Sequence, residues 1–182
     1  MHMIITDEVL VAQAVAGDTD AFVSLLERHY TLIYRLSFRI LGRKEAAEDL
    51  AQDVCISLSN KLRSFNQTSK FTTWLYRVVT NASLDARRKS STREKAHENW
   101  AEVEKLDRAR AEQLSEEVKW LYSVISQLSD DLRATAMLVV GEGLSYSEVG
   151  EVLTVPEGTI SWRMSEVRKI IKAIAETEGS VK

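Results

Sequence analysis

The chain has 182 residues, with 24 Lys and Arg against 27 Asp and Glu, so its net charge of −3 does not by itself announce a polyanionic partner. No apolar run approaches the ~20 residues that cross a bilayer, and the single cysteine, Cys55, excludes an internal disulfide. One proline, sparse glycine and a composition rich in Leu, Ala, Glu, Arg and Lys favour an all-helical protein, of a length suited to one domain or two small ones.

Taken in order, Thr6, Asp7 and Glu8 provide a helix start, with acids in the first turn, and Gly17 ends that helix. Asp18 or Asp20 opens the next helix. There Phe22, Leu25, Leu26, Tyr30, Ile33, Leu36, Ile40 and Leu41 recur at threes and fours, and Gly42 is the C-cap. His29 lies on this apolar helix as a packing or surface residue. A third helix spans residues 43–61, with Ala46, Leu50, Val54, Leu58 and Leu62 as a spacing-of-four stripe and Cys55 as a buried free thiol. Its outer face carries Glu48, Asp49, Gln52 and Asp53. That face is either solvated or a docking surface for a basic partner, and spacing alone does not choose.

Residues 63–69 read as a polar loop with one aromatic, Phe65. The stretch 71–95 follows, FTTWLYRVVTNASLDARRKSSTREK. Trp74, Leu75, Val78, Val79 and Ala82 share one side of a helix, and Thr72, Arg77, Asn81 and Asp85 lie on others. The helix exits through Arg87, Arg88, Lys89, Arg93 and Lys95. Residues 61–95 hold nine basic side chains against Asp85 and Glu94, a local charge of +7, whereas residues 98–117 carry a local charge of −4. Charge within a Debye length of about 8–10 Å matters more to a polyanion than the global sum. A packed helix with aromatics upstream and a basic exit suits phosphates and bases; it also suits a core helix whose basic end complements the helix dipole.

Periodicity fails near residues 90–99, where a domain boundary belongs, and residues 100–115 read as a charged linker on which Trp100 is an anchor. From Glu116 the pattern returns with Val118, Leu121, Tyr122, Ile125 and Leu128. Ser129, Asp130 and Asp131 cap a helix running through Leu132, Ala136, Met137, Val139 and Val140 to Gly141, and Gly143 breaks the chain. Ser145 with Glu148 has capping-box spacing for a short helix ending near Leu153. After a turn at 154–157, a final helix over 158–174 places Ile160, Met164, Val167, Ile170, Ile171 and Ile174 toward a core. A short helix, a tight turn and a longer helix form a helix-turn-helix. Glu157, Thr159, Ser161, Trp162, Arg163 and Glu166 are its exposed candidates for the major groove.

Nothing here points to an enzyme. His2, His29 and His97 are scattered, no metal-ligand spacing occurs and no glycine-rich phosphate loop is present. No cofactor or metal is expected, and the N-terminus lacks the pattern of a signal peptide, which points to the cytoplasm.

Three stretches together resemble a bacterial RNA polymerase sigma factor of the extracytoplasmic-function (ECF) group. DAFVSLLERHYTLIYRLSFRILGRKEAAEDLAQDV resembles the opening of region two, FNQTSKFTTWLYRVVTNASLDARRK its promoter-melting part, and QLSDDLRATAMLVVGEGLSYSEVGEVLTVPEGTISWRM region four. The resemblance covers residues 20–172. It implies an all-α fold of two small helical domains joined by a charged linker. The first, 1–96, is a region-two bundle, the linker is 97–115, and the second, 116–182, is a region-four helix-turn-helix.

The resemblance further implies that Asp49, Gln52 and Asp53 dock on core RNA polymerase. Phe65 and Asn81 match positions lining the pocket for a flipped-out base of the minus-ten element, and Arg77, Arg87, Arg88 and Lys89 track the phosphates of that single strand. An asparagine amide offers a base edge both donor and acceptor. Trp74 is given to the core. Thr159, Ser161, Trp162, Arg163 and Glu166 would read the minus-thirty-five duplex. Ser161 and Glu166 stand where many relatives carry basic residues, which weakens phosphate anchoring, while a glutamate accepts a hydrogen bond from a cytosine amine. The usual proline near Ser129 is also absent. The implied partners are core RNA polymerase, promoter DNA and an anti-sigma factor. Two other readings stay open: a helix-turn-helix regulator binding duplex DNA as a dimer, and a sigma mimic that sequesters an anti-sigma factor.

Overall fold

The longest helix of the N-terminal half forms because its ends and its faces agree. Asp18 accepts hydrogen bonds from the Asp20 and Ala21 amides at 3.0 and 3.1 Å, which caps α2 (Thr19–Leu41). Leu25, Ile33, Leu36 and Ile40 are fully buried along one stripe, and Gly42 ends the helix at φ 74°, a left-handed conformation that glycine adopts without a Cβ penalty. The computed structural model of the protein describes residues 5–94 and 116–179; the expected linker over 97–115, Trp100 and Lys95 lie outside the described residues.

Helix α1 (Asp7–Val15) precedes α2. Thr6 holds the N-cap position without a side-chain bond, and Asp7 instead reaches across to α2, meeting Arg28 at 2.6 Å and His29 Nε2 at 2.9 Å. His29 is buried, with its ring edge-on to Phe71. Helix α3 (Lys44–Lys61) folds back on α2. Its buried residues are Ala47, Leu50, Ala51, Val54 and Leu58, and Leu62 just beyond it is buried too, so the expected stripe packs except at Ala46, which is half-buried while Ala47 takes its place. The reason is geometric: a spacing of four drifts around a helix of 3.6 residues per turn. Cys55 is also half-buried, and burial pushes its thiol up from its ordinary value.

A short 3₁₀ turn (Leu62–Ser64) and a loop lead into α4 (Phe71–Glu94). Phe71, Leu75, Val79, Thr80, Ser83 and Leu84 are buried, while Val78 and Ala82 are only partly covered. With Thr73, three hydroxyl residues thus occupy buried positions that the apolar pattern does not reveal; Ser83 is accommodated by donating to the Val79 carbonyl at 2.8 Å. Trp74 packs against the rings of Phe65 and Phe71, with centroids 5.4 and 5.7 Å away, in keeping with its core role.

The C-terminal half comprises α5 (Glu116–Gln127), α6 (Asp130–Ala136), α7 (Tyr146–Leu153) and α8 (Glu157–Gly179). The helical turns that begin at Asp130 run to Gly141 as the pattern expects, but not as α-helix throughout. After Ala136 the chain widens into a π turn (Met137–Gly141), closed by the Glu142 amide on the Met137 carbonyl at 3.0 Å. Ser129 sits at the N-cap of α6 but makes no side-chain cap bond. The buried Arg133 donates to the carbonyls of Ser126 and Leu128, satisfying groups that the end of α5 leaves open.

The capping box on α7 is present: the Ser145 amide donates to Glu148 at 2.8 Å and the Glu148 amide to the Ser145 hydroxyl at 3.3 Å. These bonds hold the exposed Glu148 carboxyl below the usual carboxylate range. Thr154 then takes a left-handed conformation, and a Cβ on Gly150 would stand 2.8 Å from the Val155 carbonyl oxygen. Glycine is what lets the turn close onto α7. Ile160, Met164 and Val167 of α8 are buried, and α8 runs on to Gly179, beyond the expected end at 174.

No strand occurs among the described residues, and the architecture is all-α. The two halves pack together, α4 against α6 and α7, and α2 against the π turn.

Candidate nucleic-acid interface

The helices α3 and α4 lie side by side, and an open groove of about 500 Å³ runs between them. Asp53, Lys61, Arg77, Asn81, Asp85 and Lys89 supply its polar lining. Arg77, Asn81 and Asp85 recur at intervals of four, so one face of α4 carries them in a row. Asn81 and Lys89 are exposed, leaving an amide with donor and acceptor beside a cation at the groove edge. Phe65 is placed differently from an open stacking platform: only 8% of its surface is exposed, and its ring is edge-on to Phe71 with centroids 5.7 Å apart. In this conformation Phe65 is part of the packed aromatic cluster at the start of α4.

Asp49, Gln52 and Asp53 are all exposed on the outer face of α3. The same face ends in Ile56, which is 75% exposed. Sequence reading passed over this residue; the available signal was an isoleucine one turn beyond Gln52 on a face otherwise polar.

The basic exit of α4 is not open to solvent on all sides. Arg87 Nε donates to Asp130 Oδ1 at 2.7 Å, Arg88 Nε approaches Asp130 Oδ2 at 3.4 Å, and Arg88 Nη1 lies 3.5 Å from Asp85 Oδ1. Arg77 donates to the carbonyls of Val152, at 3.1 Å, and Glu151. Those carbonyls close the negative end of α7, so Arg77 acts as a C-terminal cap supplied by the other half. Three of the residues assigned to the strand are therefore engaged by the C-terminal half. Asn81 and Lys89 line the groove beside them.

One further cluster joins the halves. The Glu142 side chain has no exposed surface and meets Arg35 in a two-pronged pair at 2.5 and 3.1 Å, Arg39, and the Tyr76 hydroxyl at 3.1 Å. Burial alone would raise the Glu142 carboxyl, yet the Arg35 hydrogen bond and the charges of Arg35 and Arg39 hold it below its ordinary value. Burial, followed by the neighbouring carboxylate, pushes the Tyr76 hydroxyl up to about 12. The Arg35 guanidinium is raised by its Glu142 bond.

On α8, Ser161 is exposed and Trp162 is 60% exposed, standing out from the helix. Thr159 is half-covered. Arg163 is tied to Asp131 at 2.7 Å, and Glu166 pairs with Lys169 at 2.6 Å, so the acid at 166 carries its own counter-ion. No group of three or more His, Cys, Asp and Glu with metal-ligand geometry occurs among the described residues.

A family model for Sigma-70 region 2 matches residues 25–93, which run from α2 to the end of α4. Over 176 residues the chain is 31% identical to the ECF RNA polymerase sigma factor SigW of Bacillus subtilis (strain 168), covering 89% of this chain and 92% of that protein. The chain belongs to the ECF RNA polymerase sigma factors. A second relative is the ECF RNA polymerase sigma-E factor of Escherichia coli (strain K12), 30% identical over 178 residues, with 92% and 93% of the two chains covered. The fold of this sigma factor is shared by the solved structure of CnrH in complex with the cytosolic domain of CnrY, at TM-score 0.68 and 22% identity over 94% of this chain and 97% of that one. It is shared too by the sigma factor RpoE in complex with the anti-sigma factor NepR from Bartonella quintana, at TM-score 0.65 and 20% identity over 87% and 98%. As a sigma factor the protein is a transcription initiation factor that binds RNA polymerase, which sets the duplex-binding dimer reading aside. No described helix is long and apolar enough to cross a membrane.

Proposed function

We propose that this sigma factor recruits core RNA polymerase through Asp49, Gln52 and Asp53 and opens promoter DNA along the groove between α3 and α4. Residues 1–96 form the polymerase-binding and minus-ten unit, 97–115 the linker, and 116–182 the minus-thirty-five unit. The observation that carries the reading is the groove itself. It sets the exposed Asn81 amide beside Lys61 and Lys89, with the α3 acid Asp53 on its edge and Asp49 and Gln52 exposed outside it. An unpaired base needs edge hydrogen bonds, and its backbone needs cations. Asn81 and Phe65 serve the base, Phe65 once it leaves the aromatic cluster in which it is packed here; Arg77, Arg87, Arg88 and Lys89 serve the phosphates once the C-terminal half moves off them.

Thr159, Ser161, Trp162, Arg163 and Glu166 face the minus-thirty-five duplex. Trp162 offers an apolar surface of the kind that meets a thymine methyl group, and Arg163 exchanges Asp131 for phosphate. The protein acts in the cytoplasm without catalytic residues of its own, and an anti-sigma factor holds it inactive; one structural neighbour, RpoE, is itself in complex with an anti-sigma factor, NepR.

The experiment is transcription from a promoter library with purified core enzyme. Asn81→Ala should leave association with core intact and slow promoter opening, whereas Asp49→Asn with Asp53→Asn should weaken association itself. Association unchanged in the double variant would overturn the docking assignment. Unchanged opening in Asn81→Ala would overturn the base-pocket assignment.

A further inference from the structure

Two rows of residues run in parallel along α4 where it walls the groove. One is Arg77, Asn81, Asp85 and Lys89; the other is Val78, Ala82 and Ala86. Residues four apart lie one above another on a helix, so each row forms one edge. The second row is half-buried and, with Leu50 of α3 opposite, gives the groove an apolar floor. The first row reads cation, amide, acid, cation. A sugar-phosphate backbone has use for the cations at the two ends and none for an apolar floor. The flat face of a base has use for the floor.

Asp85 is the member of the first row that phosphate binding leaves unexplained, because a carboxylate repels a polyanion. Its pair with Arg88, at 3.5 Å between side chains 65% and 61% exposed, is of a kind that contributes little. Asp85 and Asn81 are one turn apart, however, which sets their Cβ atoms about 5–6 Å from each other on one side of the floor. We infer that Asp85 is a specificity-determining residue of the groove. It selects a base with an exocyclic amine beside an unprotonated ring nitrogen, cytosine or adenine, over thymine and guanine. With the base on the floor, the Asp85 carboxylate accepts from cytosine N4 or adenine N6, and the Asn81 amide donates to the ring nitrogen next to it. In the same pose thymine turns O4, and guanine O6, toward the carboxylate, and two acceptors face each other. Asp53, the other acid of the groove, lies on the α3 wall rather than in the Asn81 row. The inference rests on the promoter-opening reading above and deepens it, naming what the groove discriminates.

The test uses the full chain joined to purified core RNA polymerase, and DNA duplexes with a preformed bubble whose unpaired non-template strand is randomised. Templates retained by the complex are sequenced. The wild type should enrich cytosine or adenine over thymine about tenfold at one bubble position, the discrimination of one good contact to a base edge. Asp85→Ala should bring that ratio to about one, at that position alone. Asp85→Asn, whose amide can donate to O4, should admit thymine there. Association with core polymerase, measured alongside, shows that each variant is folded. The inference is overturned if Asp85→Ala tightens retention of all templates alike and leaves every base ratio unchanged, the behaviour of a surface acid. It is overturned equally if the preference lost in Asp85→Ala is one for thymine or guanine. Asn81→Ala separates the two claims. Ratios that change with Asn81→Ala but not with Asp85→Ala strike Asp85 alone, and ratios that change with neither strike the groove reading and this inference with it.

Discussion

Tyr76 and Glu142 lie 66 positions apart in the chain and share a 3.1 Å hydrogen bond, the phenol donating to Oε2. One belongs to the helix that lines the strand groove and the other to the turn that follows the π segment of the C-terminal half. Closure of the two halves therefore involves two groups whose protonation matters. Glu142 is held below its ordinary value, so its contribution to closure is full above the ordinary carboxylate value of 4.5 and fades as pH falls through the lowered one. Tyr76 is raised to about 12, so its contribution is full below its ordinary value of 10 and fades as pH climbs toward about 12. Distance between dyes on the two halves should stay constant from about pH 5 to 9 and increase on either side. Tyr76→Phe should abolish the alkaline limb, and Glu142→Gln should open the halves already at neutral pH. With Arg35 and Arg39 partly exposed, the loss of closure should be about 1–3 kcal/mol. Closure insensitive to Glu142→Gln would mean that apolar contacts alone hold the halves.

Gly150→Ala should destabilise the helix-turn-helix despite alanine's better helix propensity. Propensity favours Ala by about 1 kcal/mol. The added Cβ would meet a backbone oxygen at 2.8 Å, and a carbonyl that closes a turn cannot rotate aside. Overpacking of this kind costs about 1–3 kcal/mol, so the net effect should be a lower melting temperature. A rise in the melting temperature of Gly150→Ala would show that the turn relaxes freely.

Ile56→Ser should separate docking from folding. The side chain is 75% exposed and contributes little to the core, so the melting temperature should hardly change. If the α3 face docks on core polymerase, Ile56 becomes buried there, and losing its apolar surface should weaken association by about 1–2 kcal/mol, roughly tenfold. Wild-type affinity for core enzyme would place Ile56 outside the interface.

Trp162→Ala should leave stability nearly unchanged, because the ring is 60% exposed. Duplex recognition upstream of the start site should fall, since the ring is the largest apolar group presented by α8. Promoter mutations at the contacted thymine should lose their effect in this variant. If they retain their full effect, another residue reads that position.

Local chemistry was legible where a residue's role depends on its neighbours in sequence. Asp18, Gly42 and the Ser145–Glu148 box act where their spacing placed them, because caps satisfy backbone groups within three or four residues. The exposed face of α3 was legible at Asp49, Gln52 and Asp53, but that of α8 only in part: Glu157, Ser161 and Trp162 are exposed, whereas Thr159, Arg163 and Glu166 are partly covered. Ser129 was half legible: its position caps α6, but its side chain makes no bond there. Thr80 and Ser83 were not legible as core residues: the Ser83 hydroxyl is accommodated by a bond within its own helix, while the buried Thr80 hydroxyl has no hydrogen-bond partner among the described residues.

The all-α class, the helix order and the family likeness were written into spacing, capping and motif, which are properties of the chain taken a few turns at a time. What only the packed molecule decided was the company each charge keeps. Arg35, Arg39 and Glu142 carried no signal in the chain, and the arginines of α4 looked open to solvent. Folding brought carboxylates and carbonyls from 43 to 107 residues away onto them. The physical reason is range: a cap is judged within one turn of helix, but a charge is judged by whatever oxygen the fold sets within about 4 Å of it.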